Sequence, residues 1–175
     1  LNLDASQYVT RDAFVADALA KSKEEGLAKA AIGTEIHASL ESYYKGLRVG
    51  SNEDIVYKVS GAIDAFCGHQ EWVAEKEFYA DLEWYPYGGT CDLSSSQWVI
   101  DFKTKEELPA KSAIWDNHRI QLALYREAIN PTARCAICYV DYDGNTDIVE
   151  LNEDDLDRGL EMGKACLHLW YASNW

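Results

Sequence analysis

Apolar residues recur at helical spacing over the first third of the chain, and alternation takes over further on. Thr10 caps a first helix that runs to about Glu25 and stops before Gly26. A second covers about Leu27 to Lys45, with Ile36, Leu40, Tyr43 and Leu47 along a core-facing stripe. Ser51 to Asp54 reads as a capping box opening a third, which carries Ile55, Val59, Ala62 and Phe66 on one face and ends near Gly68. Glu71 to Ala80 reads as a strand, and Gly88 to Lys103 as a hairpin about Ser94-Ser95-Ser96. Pro109 and a capping Lys111 or Ser112 introduce a helix from about Ala113 to Ala128, ended by Asn130-Pro131. Cys135 to Asp141 and Asp147 to Leu151 form a second hairpin about Asp143-Gly144-Asn145. A last helix sets Leu156, Leu160, Gly163 and Leu167 on one face. This order predicts a single α/β or α+β domain over residues 1–175, with a central mixed sheet flanked by helices.

The first hairpin carries the candidate chemistry. Alternation in a strand sets Thr90 with Asp92 on one face, and Val99, Asp101 and Lys103 together on one face of the next strand. Trp98, Ile100 and Phe102 then point the other way, into a core. Two acids and an amine gathered on one side make a plausible divalent-metal and phosphate site. The ordinary role of Asp-x-Lys is a solvated face whose ion pair contributes about 0–1 kcal/mol. Polar residues at other places along the chain weigh against that role here.

His37 lies beside the apolar stripe of its helix, one turn after Gly33, and an imidazole is a competent metal ligand. Glu75 and Glu77 share a strand face, from which either acid can join Asp92 and Asp101; pairing with a neighbouring lysine is the duller alternative. Gln121 and Tyr125, one helical turn apart, can orient a lysine or hold a sugar-phosphate, although such pairs also occur on ordinary amphipathic helices. Asp64 is read as a solvent-facing acid.

A formal charge of -14 is awkward for a nucleic-acid partner, since phosphate binding relies on Lys and Arg. Much of the acid lies in the run from Glu150 to Asp157, where carboxylates favour the start of a helix. A local basic rim is available from Lys103, Lys105, Lys111, Arg119 and Arg126. The 5 cysteines, an odd count, imply no disulfide framework and favour a reducing compartment. Cys135-Ala-Ile-Cys138 matches C-x-x-C, but an offset of three residues on a strand sends the thiols to opposite faces, so core packing is expected. No apolar run is long enough to span a bilayer, and a soluble, cytoplasmic protein is expected.

Taken in order, G-T-E-I-H ending at His37, E-K-E-F from Glu75, G-G-T-C-D ending at Asp92, I-D-F-K-T-K around Asp101 and Lys103, and Q-L-A-L-Y from Gln121 to Tyr125 resemble a nuclease motif series. The series is similar to that of the RecB-like branch of the PD-(D/E)XK superfamily. That branch includes the RecB nuclease domain, CRISPR-associated adaptation nucleases, the mitochondrial genome-maintenance exonuclease and many phage exonucleases. The resemblance implies a restriction-endonuclease-like core and a Mg²⁺- or Mn²⁺-dependent DNA exonuclease that leaves 5′-phosphates, in phage or mobile-element recombination or repair. It implies Asp92, Asp101 and His37 as metal ligands, with the Phe102 carbonyl as a further one. Lys103 would be the lysine of D-x-K and Glu75 the acid of the preceding strand. Gln121 and Tyr125 would support Lys103 or contact DNA together with Lys105 and Arg119. Some relatives hold an iron-sulfur cluster, but no cysteine stands near His37 on its N-terminal side and no clustered trio follows Cys138, so none is expected. DNA is the implied partner, with a recombination partner such as a single-strand annealing protein; the oligomeric state is left open. A non-cleaving nuclease-fold subunit that binds DNA or recruits a partner is the alternative, and an acidic mimic of nucleic acid a third reading.

Overall fold

The computed structural model describes residues 10–108 and 113–174 and divides the chain into two compact units, Leu1–Glu35 and Ile36–Trp175. The described part of the first unit is helix α1 (Arg11–Tyr44) as far as Glu35. Thr10 caps it as expected, its Oγ1 accepting from the Ala13 N–H at 3.2 Å. Gly26 does not end it. A glycine inside a helix costs about 1 kcal/mol relative to Ala, whereas a new helix must be nucleated afresh, so the two expected helices form one.

The second unit holds the last turns of α1 and then α2 (Glu53–Cys67), β1 (Val73–Leu82), β2 (Tyr85–Ser94), β3 (Trp98–Thr104), α3 (Asp116–Ile129), β4 (Arg134–Val140), β5 (Thr146–Leu151) and α4 (Glu153–Asn174). The strands lie in chain order in one five-stranded sheet. β3 and β4 run parallel, and every other neighbouring pair is antiparallel. α3 supplies the crossover that a parallel pair requires. The expected mixed sheet flanked by helices is what forms.

Each face of the sheet has its own core. Ile36 and Leu40 of α1 and Val56, Val59 and Ile63 of α2 pack on Leu93, Ile100, Phe102 and Cys138. Leu122 of α3 and Leu156 of α4 pack on Val99, Cys135 and Ile137. Cys135 and Cys138 therefore serve opposite cores as expected, and burial pushes both thiols up, Cys135 to about 12.

Several boundaries differ from expectation. α1 stops at Tyr44, Gly46 turns the chain at φ 67°, and Leu47 is exposed instead of core-facing. Asn52, not Ser51, is the cap of α2, and its amide donates to Ser39 Oγ at 3.2 Å. The buried stripe of α2 is rotated to Val56, Val59 and Ile63, which leaves Phe66 exposed. β1 continues to Leu82 and joins β2 through Glu83 and Trp84, so the first hairpin of the sheet is one that the sequence did not announce. α3 begins at Asp116 behind Trp115; the expected introducing residues Pro109, Lys111 and Ser112 lie outside the described residues.

α3 and α4 pack closely at Gly159, where an added Cβ would stand 2.3 Å from the Arg119 carbonyl oxygen. Gly159→Ala must push two helix backbones apart and should lower stability by about 1–3 kcal/mol. Gly61, with nothing within 4 Å of such a Cβ, is the control. Gly61→Ala should hold or raise stability by about 1 kcal/mol through helix propensity. Urea denaturation of the two variants checks the contrast, and equal midpoints would refute the close approach.

Candidate active site

β1, β2 and β3 each bring one acid to the same level of the sheet. The β1–β2 ladder pairs Ala74 with Leu93 and Lys76 with Cys91 but skips Glu75, whose counterpart in that register is Asp92. The β2–β3 ladder pairs Ser94 with Val99 and Leu93 with Ile100, then ends, one step before Asp92 would face Asp101. Like charges directly opposite one another destabilise a sheet. The strands answer by giving up ladder geometry at this level. Asp92 Oδ2 accepts the Phe102 N–H at 2.7 Å, so a carboxylate takes the place of a ladder carbonyl. Glu75 adopts φ 49°, a left-handed value that a glutamate seldom holds.

This break also switches which face the strands present. Ala74 and Leu93 belong to the core beneath α1 and α2, whereas Cys91 belongs to the other core and the Phe78 ring packs on Tyr125 of α3 at 5.2 Å. The plain alternation expected to set Thr90 with Asp92 therefore does not run through Asp92.

Asp101 is 1% exposed, and its Oδ1 has no hydrogen-bond partner among the described residues. Lys103 Nζ stands 2.6 Å from Oδ2 as an ion pair. Burial, reinforced by the charge of Asp92 and opposed by Lys103, pushes the Asp101 carboxyl up to about 6. Lys103 donates to Gln121 Oε1 at 3.1 Å, and Gln121 Nε2 donates to the Tyr125 hydroxyl at 2.9 Å. Both amide ends of Gln121 are thereby used, which fixes its orientation. Gly89 makes room for the end of this chain, since a Cβ there would lie 3.1 Å from Phe78 Cζ and 3.6 Å from Tyr125 Cε1.

His37 approaches from α1, with Nδ1 3.9 Å from Asp92 Oδ2 and its ring edge-on to Phe102. Burial lowers its pKa, against the pull of Asp92 and with help from Lys103, so the imidazole is neutral at neutral pH and keeps a lone pair for a cation. Glu75 is half-buried, and burial, then Asp92, then Glu41 raise its carboxyl, whereas Glu77 is exposed. His37, Glu75, Asp92, Asp101, Lys103, Gln121 and Tyr125 are thus brought to one region. Phe102 enters through its backbone N–H, while its side chain fills the core.

The rest of the expected basic rim is dispersed. Lys105 is exposed, its Nζ 5.9 Å from the centre of the Tyr139 ring. Arg119 turns away to the seam between α3 and α4, where it meets Asp155 at 2.7 Å and Asp116 at 3.1 Å. Arg126 pairs with Glu153 at 2.8 Å, and Lys111 lies outside the described residues.

Three neighbours escaped the sequence reading. Glu41 follows His37 by one helical turn, and that spacing was the available signal. Tyr139, paired in register with Lys103, donates to the Ala113 carbonyl at 2.6 Å and meets His118 Nδ1 at 3.0 Å. Nothing local marked Tyr139 or His118.

Two carboxylates, a neutral imidazole and a buried carboxylate with one unpartnered oxygen are donors that a hard divalent cation takes. Among the described residues, no three His, Cys, Asp or Glu side chains are already gathered at coordination distance. The donor chemistry fits a metal, and the shell is not preassembled.

A five-stranded mixed sheet flanked by helices is an α+β arrangement consistent with a nuclease-like fold. The chain is similar to the crystal structure of a candidate exonuclease from Eubacterium rectale, with a TM-score of 0.56 and 13% sequence identity over 78% of this chain and 64% of that one. It therefore spans less than two thirds of that protein's length. The crystal structure of SSO0001 is similar at a TM-score of 0.39 and 19% identity, over 65% of this chain and 57% of that one. No family model matches the chain, and no curated protein matches it.

A carboxyl raised from its usual 3.8 to about 6 contributes stability that is complete below the lower value and is lost as pH rises through the upper one. Between about pH 4 and pH 8, the metal-free protein should lose on the order of 1–3 kcal/mol through Asp101. Asp101→Asn should narrow that gap, because its amide stays neutral throughout. Urea midpoints at the two pH values measure it, and an unchanged gap would contradict a raised carboxyl.

Proposed function

We propose that this chain is a metal-dependent DNA nuclease of the RecB-like branch of the PD-(D/E)XK superfamily, acting as an exonuclease that leaves 5′-phosphates. The single observation that carries this reading is the buried Asp101 carboxylate, one oxygen of it unpartnered, beside Lys103, whose ammonium is held by Gln121, itself anchored on Tyr125. Structural pairing alone gives a poor reason to bury such a group, since a buried ion pair is weak support for a fold. The fold likeness to a candidate exonuclease agrees with the reading.

In this reading Asp92, Asp101 and His37 would hold the ion, with the Phe102 carbonyl as a further ligand and Glu75 as the acid of the preceding strand. Mg²⁺ or Mn²⁺, when bound, supplies Lewis acidity and an activated water. Lys103 presents its ammonium to a non-bridging phosphate oxygen and offsets the charge that develops there. Gln121 sets the direction of that ammonium, and Tyr125, wedged on Phe78, keeps Gln121 from turning. Lys105 offers an exposed cation to a neighbouring phosphate. No helix among the described residues is long and apolar enough to cross a membrane. We infer a cytoplasmic setting, and from the resemblance a role in phage or mobile-element recombination or repair beside a partner such as a single-strand annealing protein.

Labelled duplex and single-stranded DNA, with Mg²⁺ or Mn²⁺, test the proposal. Cleavage should fall by about 10²-fold or more in Lys103→Ala and in Asp101→Ala, while gel-shift binding of Lys103→Gln stays within about threefold of the parent. Thermal unfolding gives a second readout, since divalent ions should raise the midpoint of the parent protein and do so much less in Asp92→Asn. Absence of cleavage with every metal, together with intact DNA binding, would replace the nuclease by a non-cleaving DNA-binding subunit.

A further inference from the structure

The tip of the β1–β2 hairpin and the end of α4 form a surface that the proposed nuclease site does not use. Glu83 and Trp84 make the turn at φ 50° and 78°, left-handed values that ordinarily select Gly, Asn or Asp. Trp84 is nevertheless 95% exposed there. A strained turn that holds a large indole in water is a feature to be explained by what the indole meets.

Beside it, the Tyr85 ring lies 5.2 Å from Tyr171 and 5.6 Å from His168, each tilted by little more than 30°. The Tyr171 hydroxyl donates to the Pro86 carbonyl at 2.7 Å and ties the hairpin to α4. These rings, with Trp84 and Ala172, wall an aromatic cleft of about 300 Å³. A second cleft of about 610 Å³ shares Trp84, Tyr85 and His168 and carries Glu83, Glu161 and Lys164. Lys164 lies 3.0 Å from Glu83 and 2.9 Å from Glu161, so one ammonium answers two carboxylates.

We propose that this double cleft binds a protein segment bearing an arginine or lysine next to an apolar side chain. The cation stacks on the faces of Trp84 and Tyr85 and reaches the excess negative charge of Glu83 and Glu161, as a guanidinium does on aromatic rings. The apolar neighbour fills the aromatic slot. A nucleic-acid strand would also stack on these rings, but such strands need a basic groove for their phosphates, and here they would meet two glutamates. A second copy of this chain would bring the same acidic rim to the same place. Charge therefore selects a cationic polypeptide, in keeping with a chain of net charge -14.

The test uses the full chain and the peptide acetyl-Leu-Arg-Leu-amide, with acetyl-Leu-Glu-Leu-amide and a short oligo-dT as contrasts, followed by the indole N–H resonance of Trp84. The arginine peptide should shift that resonance with a dissociation constant of about 1 mM or below. Trp84→Gly suits the left-handed turn, so the fold should persist, and peptide binding followed calorimetrically should weaken about tenfold. Glu161→Gln should weaken it about threefold and flatten its salt dependence. The proposal is overturned if the glutamate peptide or the oligonucleotide shifts Trp84 as strongly, if Trp84→Gly binds the arginine peptide unchanged, or if about 10 mM of that peptide moves nothing. Self-association of the chain through Trp84 would overturn it as well.

Discussion

Burying the Asp101 carboxylate is the constraint around which this sheet is arranged. Removing an ion from water costs several kcal/mol, and the partner that offsets it must be held in place. Lys103 supplies the charge from two residues along the same strand. Gln121 of α3 accepts from that ammonium and donates to Tyr125, Phe78 holds Tyr125 from β1, and Gly89 leaves the space on β2. One continuous series of contacts thus links three strands and a helix to a single charged group. Replacing an ion pair by apolar residues of similar volume is often neutral or stabilising. Retaining this one, with Oδ1 unpartnered, makes sense where the carboxylate has a further cation to receive.

The same constraint explains the irregular ladder. Three acids at one level of adjacent strands cannot coexist with full pairing, because pairing would bring like charges opposite each other. The ladder opens at Glu75 and Asp92, and Asp92 turns into the gap to take the Phe102 N–H. The opening lets Cys91 and Leu93, two residues apart, reach opposite cores. It also aligns Asp92 with His37 at the end of α1. The strain at Glu75 and the convergence of the acids are two consequences of one interrupted pairing.

How far the sequence foretells this follows from which signals are local. The β4–β5 hairpin was legible because Asp143-Gly144-Asn145 forces a turn, and the Asp141 carboxylate caps it by accepting from Asp143 and Asn145. The end of α3 was legible because Asn130-Pro131 cannot continue a helix. The β1–β2 turn was not, since Glu83 and Trp84 adopt glycine-like angles without glycine. Gly26 misled in the opposite sense, a tolerated cost read as a stop. At the site, Asp101, Lys103, Gln121 and Tyr125 were visible through strand parity and the helical turn, both local rules. The phase break at Asp92 was invisible, because it arises from the register of three strands. Arg119 was misplaced for a related reason: Asp155, its ion-pair partner, is far along the chain and reaches it only by helix packing.

Net charge is a poor guide to the field at this site. α4 opens with Glu153, Asp154 and Asp155, acids suited to the positive end of a helix. Arg119 and Arg126 of α3 answer Asp155 and Glu153, and Arg134 of β4 answers Glu150 on β5. Arg119 and Arg126, which would otherwise form a rim, are therefore engaged where α3 meets α4. At the sheet stand the Lys103 ammonium, the exposed Lys105, a neutral His37 and the acids Glu75, Asp92 and Asp101, the last with its charge opposed by burial. With so few cations exposed there, a metal ion held by Asp92 and Asp101 would be the largest positive charge in the region. Under the proposed function, attraction of a nucleic acid would then depend on that ion more than on side chains.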